Sequence, residues 1–229
     1  VYRVIIILFG LLLLGCQPDG SEEEKTIFQE GVKELDQSFI TYAKNGNTEK
    51  VLQLLQQGVA INAVDSDGTT AVLAATQNNQ IETVKVLIEA GADLDVQNDH
   101  LDNVLLYAGA EGMIEIVKLA IDAGADTTIT NRFGGTALIP AAERGHVDVV
   151  KELLVHSDVD VNHINNLHWT ALLEAVLLGD GGTSHQEIVQ LLVDHGADMT
   201  IGDREGVTPL EHAIKNDYSE IAEILKAAE

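Results

Sequence analysis

Apolar residues in this chain fall in spaced triplets, and the triplets return on a steady beat. Val51, Leu54 and Leu55 are followed by Val84, Leu87 and Ile88, by Val150, Leu153 and Leu154, by Val189, Leu192 and Val193, and by Ile221, Ile224 and Leu225. A gap of three and then one puts each triplet on one side of a helix, so each predicts a helix with a single buried stripe. Gly58, Gly91, Gly124 and Gly196 stand where such helices end, placed for the left-handed backbone that stops a helix. A shorter helix is predicted ahead of each, opened by Thr70, Asn103, Thr136, Thr170 and Thr208, whose side chains can accept an otherwise unpaired backbone N–H. Within it Ala75, Ala108, Ala141, Ala175 and Ala213 recur, where closely stacked helices leave no room for more. The five openers follow one another at intervals of 33, 33, 34 and 38 residues. A helix pair this short cannot bury its own apolar side, so neighbouring copies must cover one another, and the expected fold is an all-α solenoid.

The copy from Phe133 to Leu154, FGGTALIPAAERGHVDVVKELL, is the clearest. Its G-x-T-x-L-x-x-A and G-H-x-x-V-V, with G-A-D closing other copies, resemble the ankyrin repeat. The resemblance covers six copies, at 35–66, 67–99, 100–132, 133–165, 166–203 and 204–229. It implies about six helix-turn-helix repeats with β-hairpin or loop fingers, and a protein partner held across the finger tips and inner helices. Carried onto this chain residue by residue, that surface offers Arg132, Phe133, Asn166, Leu167 and Trp169 from the tips, with Glu111, Glu143 and Arg144 from the inner helices. The sole Trp, a Phe and two of few arginines on adjacent copies resemble an interface hot spot. The competing reading folds Phe133 and Trp169 back onto neighbouring fingers to seal the core edge. Tyr107 and Glu174 depart from the usual small or polar occupants of their positions and belong to the same groove. The wording of copies three to five is also similar to a group of bacterial ankyrin proteins, a likeness that implies no activity.

Four irregularities break the beat. Leu101 and His168 stand where the pattern wants Gly, so distorted fingers are expected there. Pro140 lies inside a predicted inner helix and should bend it. The fourth copy has an extra residue between His156 and Asn162, with Ser157 in place of the closing Gly. Asp180 to Ser184 is inserted between the helices of the fifth. Its glycines give an alternative function, an anion or metal-ion site at Gly181, Gly182 and His185 on an outer-helix N-terminus. Against that stands a capping box, Ser184 with Glu187, which would use the same N–H groups.

Charge narrows the partner. Thirteen Lys and Arg face 37 Asp and Glu, a net charge of −24 over 229 residues, which argues against nucleic acid and favours a basic protein. None of the eight histidines forms a metal-ligand pattern, and no nucleophile elbow or phosphate loop occurs. The expectation is therefore a monomeric binding protein with no catalytic residue, metal or cofactor.

The first residues add a location. Ile5 to Leu14 is an apolar run behind Arg3, the length of a secretory core, ending Leu13-Leu14-Gly15-Cys16. This resembles a bacterial lipobox, which implies cleavage of residues 1–15 and lipidation of Cys16, leaving no free thiol. Gln17 after the cysteine implies outer-membrane sorting if the cell is Gram-negative. Residues 16–34 are then an acidic tether with a short lead-in helix, and the lipid is the only membrane attachment. The expected location is the cell envelope, on the periplasmic or outer-membrane face.

Overall fold

The computed structural model describes residues 22–228, with side chains from residue 31 onward. The leader 1–15, Cys16 and the start of the tether lie outside the described residues. The chain divides into two compact units, Val1–Glu34 and Leu35–Glu229. Helix α1 runs Glu22–Lys44, longer than the short lead-in expected and starting within the stretch read as tether. The Glu22-Glu23-Glu24-Lys25 run that suggested a tether consists of strong helix formers, with its acids at the favourable N-terminal end of the dipole.

The remaining helices are α2 (Thr48–Gln56), α3 (Ala71–Gln77), α4 (Ile81–Glu89), α5 (Val104–Ala110), α6 (Ile114–Asp122), α7 (Leu138–Glu143), α8 (Val147–His156), α9 (Ala171–Leu177), α10 (Thr183–Asp194), α11 (Pro209–Lys215) and α12 (Ser219–Ala227). Within the second unit they form two rows. The inner helices α3, α5, α7, α9 and α11 pack each on the next, and so do the outer helices α2, α4, α6, α8, α10 and α12. Phe39, Leu87, Ile116, Leu153, Leu172, Leu192 and Ile221 are fully buried in one core shared along both rows. The alanines at 75, 108, 141, 175 and 213 have no exposed surface. Each copy thus completes its neighbour's core, as the sequence pattern requires.

Four of the five openers cap as expected. The side chains of Thr70, Asn103, Thr170 and Thr208 accept from the N–H three residues on, at 2.9–3.3 Å. Thr136 does not. Elsewhere the opener's carbonyl takes the N–H four residues on, at 2.9–3.0 Å. Here that residue is Pro140, which has none, and the Thr136 carbonyl takes the Ile139 N–H instead, at 3.2 Å. The N–H that should reach the hydroxyl is gone, so the Thr136 Oγ1 is buried without a partner. Helix α7 accordingly starts only at Leu138.

The expected β-hairpins are absent among the described residues, apart from one isolated bridge between Val64 and Thr70. The fingers are turns held from inside by one Asp or Asn each. Oδ1 of Asp65, Asn98, Asn131, Asn165 and Asp203 accepts from the N–H groups two and four residues on, at 2.9–3.1 Å. Leu101 and His168 do not distort their fingers. They take the left-handed conformation of the glycines they replace, φ +59° and +71° against +74° at Gly134, and keep the same turn bonds.

Candidate protein-binding groove

The fingers before α5, α7 and α9, together with the inner helices behind them, enclose a cavity of about 340 Å³. It contains Arg132, Phe133, Leu167, Glu111, Glu143 and Arg144 of the eight residues expected at a partner surface. Phe133 is 51 % exposed and Leu167 and the C-cap Leu178 nearly as open, so these side chains do not seal the core. Asn166 and Trp169 are not in its wall. The Asn166 backbone is committed to stacking the fingers: its N–H donates to the Phe133 carbonyl at 2.9 Å, and its own carbonyl accepts from Arg204 at 2.6 Å. Trp169 is half-buried at the finger's foot, its N–H held by Asn165.

Charge is arranged in pairs around the rim. Arg144 donates to Glu111 at 2.6 Å and to the Ala110 carbonyl at 2.8 Å. Arg132 lies over the Phe133 ring, its guanidinium carbon 4.8 Å from the centroid. Burial pushes the Asp102 carboxyl above its ordinary range, with Arg132 pulling the other way. Burial and the nearby Glu111 and Asp102 push the Tyr107 hydroxyl up. Glu174 is the most perturbed group: only 5 % exposed, pushed up to about 7 by burial first and then by Glu143. Asn165 Nδ2 opposes this with a 2.6 Å hydrogen bond to Glu174 Oε1.

Tyr107 and Glu174 therefore line the groove as their positions in the repeat suggested. Asn165, Ile139 and Pro140 also line it and were missed as site residues, as Asp102 of the preceding finger tip was not. A signal for Asn165 existed: an Asp or Asn stands five residues ahead of every helix opener, at 65, 98, 131, 165 and 203.

The glycine insertion is built differently from the expectation. Helix α10 starts at Thr183, so Ser184 and Glu187 lie inside it and no capping box forms. The Asp180 carboxylate takes the Gly182 N–H at 2.8 Å and faces His185 Nδ1 at 2.8 Å. These contacts hold Asp180 below the ordinary carboxylate range, the Gly182 bond foremost. His185 is buried, its other nitrogen on the Glu143 carbonyl at 3.0 Å. A negative group already stands beside the helix N-terminus and both ring nitrogens have partners, an arrangement that does not favour an anion at Gly181, Gly182 and His185. Among the described residues no cluster of three His, Cys, Asp or Glu is placed for a metal ion, and no helix is long and apolar enough to cross a membrane.

The family model described as Ankyrin repeats (3 copies) matches this chain in overlapping windows at residues 11–98, 39–131, 105–203 and 181–229. The chain belongs to the ankyrin-repeat family. It is similar to an Escherichia coli (strain K12) protein named for its ankyrin repeats, YahD, with 51 % identity over 78 residues. That match takes in 34 % of this chain and 39 % of YahD, so the chain spans well under half of that relative. Among solved structures, an ankyrin repeat domain from Acinetobacter baumannii AYE superimposes with a TM-score of 0.81 at 46 % identity, covering 83 % of this chain and 97 % of that one. The ankyrin repeat protein EF0377 gives 0.79 at 42 % identity, over 82 % and 96 %. Ankyrin repeats generally serve as protein-interaction modules and typically as non-enzymatic scaffolds, and nothing positive points to catalysis here.

Proposed function

We propose that this ankyrin array captures a basic protein partner in the groove of copies three to five. The cavity carries the reading: exposed Phe133, Leu167 and Leu178 stand at its mouth, with charged pairs around them and a buried carboxyl behind. An apolar centre ringed by polar groups is the anatomy of a docking patch. The chain's net charge of −24 favours a basic partner. The apolar run before Cys16 and its likeness to a lipobox support a lipid anchor in a bacterial envelope, with the array held outside the cytoplasm as a monomer. Photo-crosslinking from position 167 in intact cells tests the groove, with exposed Glu115 on outer helix α6 as control. Partner adducts from 167 that disappear in a Phe133→Ala, Leu167-crosslinker variant support it; equal yields from both positions would remove it. Fatty-acid labelling lost in Cys16→Ala supports the anchor, and labelling unaffected by that change rules it out.

A further inference from the structure

Glu174 is a buried carboxyl with no cation assigned to it. Its Oε1 is held by Asn165, and no described residue hydrogen-bonds its second oxygen. The charge that reaches it is Glu143, of the same sign. Both nearby arginines are engaged elsewhere, Arg144 on Glu111 and Arg132 over Phe133. The cavity in front of it has apolar walls, Phe133, Ile139, Leu167 and Leu178. A carboxyl that gives up water needs a partner to stay charged, and this one opens toward a space large enough to admit one.

We propose that this space receives a lysine side chain of the protein partner, its stem between Phe133, Leu167 and Leu178 and its ammonium between Glu174 and Glu143. The inference rests on the groove being the docking surface. Lysine fits better than arginine for a geometric reason. A guanidinium binds a carboxylate best by a two-pronged approach to both oxygens, and the Asn165 amide on Glu174 Oε1 crowds one prong. An ammonium is a point charge and can sit between two carboxylates. Its four methylenes match apolar walls that a compact cation would leave bare.

Binding then depends on pH through Glu174. The groups on the elements around α9 are Glu143 and Arg144 at α7, His185, Glu187 and Asp194 on α10 with Asp180 just before it, and Glu211, His212 and Lys215 on α11, while Asp102, Tyr107, Glu111 and Arg132 share the cavity. Of these Glu143 is the one whose charge acts on Glu174. Only the ionised form attracts an ammonium. With the carboxyl titrating at about 7, roughly a tenth is ionised at pH 6 and nine-tenths at pH 8, so the lysine binds about tenfold tighter at pH 8.

The test follows the Glu174 side-chain carboxyl carbon by NMR in the full chain. Nα-acetyl-lysine methylamide is titrated in at pH 6 and pH 8, with the arginine and norleucine analogues alongside. The expected result is a saturable shift with lysine, weaker with arginine, absent with norleucine and about tenfold tighter at pH 8. Glu174→Gln keeps an acceptor for Asn165 and so the local fold, and is expected to abolish both the binding and its pH dependence. A Glu174 resonance unmoved by lysine, a norleucine analogue that binds equally, or unchanged binding in Glu174→Gln overturns the proposal. If that happens while crosslinking from position 167 still captures the partner, the lysine pocket alone is wrong. If crosslinking fails too, the groove itself is not the docking surface.

Discussion

Asn165 Nδ2 donates to Glu174 Oε1 at 2.6 Å, and in the next copy the residues at the same two positions, Asp203 and His212, meet at 2.7 Å. Both pairs are nine residues apart and join the finger's turn-holding residue to the middle of the inner helix. Either Asn or Asp can hold the turn, because only Oδ1 is used for that. The second atom must suit its partner: an amide N–H for a carboxyl, a carboxylate for an imidazole. Asn165→Asp should therefore keep its turn bonds but set two carboxyls against each other, destabilising the array by about 1–3 kcal/mol at pH 8. At pH 5 a shared proton should recover much of the loss. The double change Asn165→Asp with Glu174→His, which copies the sixth repeat's pair into the fifth, should restore most of it at pH 8. Urea midpoints of the three proteins measure this, and a double variant no better than the single would contradict it.

Glu174 also sets a pH dependence of stability in the absence of any partner. Its folded value of about 7 lies above the ordinary 4.5, so between those values the folded protein holds a proton that the unfolded chain has released. The stabilising contribution is complete below about pH 4.5 and is lost as pH rises through 7. Relative to wild type, Glu174→Gln should gain on the order of 3 kcal/mol between pH 4 and pH 8. A gap between the two denaturation curves that does not change with pH would show that the carboxyl is not held neutral.

The orphaned hydroxyl of Thr136 should make one substitution behave opposite ways in different copies. Thr136→Val removes a buried group that bonds to nothing, and is expected to stabilise by about 1 kcal/mol. Thr170→Val removes a working cap and should cost about 0.5–2 kcal/mol. Pro140→Ala returns an N–H to the Thr136 carbonyl and frees that of Ile139 for the hydroxyl. In that background Thr136→Val should turn destabilising. The sign of each change, read from thermal or urea unfolding, is the check.

Backbone strain at Leu101 and His168 gives a fourth test. Both side chains sit at positive φ, where a left-handed residue other than Gly costs about 1 kcal/mol. Leu101→Gly and His168→Gly should each raise stability by up to about that amount. Gly134→Ala should lower it by the strain of a side chain at φ +74°, with the Asn166 amide of the next finger moving aside from the new methyl, which would otherwise lie 2.6 Å from its Oδ1. An increase in the unfolding midpoint of Gly134→Ala would be inconsistent with fingers stacked this closely.

The helix pairs, their caps and the shared core were legible because each depends on residues a few places apart. The triplets around Leu87 and Leu153 fix a buried stripe by spacing alone, and Gly58 or Gly91 needs only its own φ to end a helix. Tyr107 and Glu174 could be placed in one groove because the repeat gives them a register. The silence of Thr136 was not legible in the same way: it requires following one missing N–H at Pro140 to the bond that Ile139 makes instead. Trp169 was singled out on rarity, whereas the position of its backbone is set by the Asn165 turn beneath it. At Asp180 the apparent glycine cradle concealed a carboxylate whose position depends on His185 reaching back to a helix 42 residues earlier.

One set of cross-links between copies, at the ends of the inner helices, points one way. His146 reaches the Ala110 carbonyl, His185 that of Glu143 and Tyr218 that of Gly179, each a later side chain on an earlier backbone. A chain leaving the ribosome amino end first thus finds these acceptors in place before their partners emerge, whereas the donors Gln97, Thr127 and Asn162 wait for Thr130, Asp158 and Gly196 of the following copy. The inner-helix ends can join one layer at a time as synthesis proceeds, and trimming the carboxyl end leaves this set intact in the layers left behind while stranding a donor only at the Gln97, Thr127 or Asn162 links.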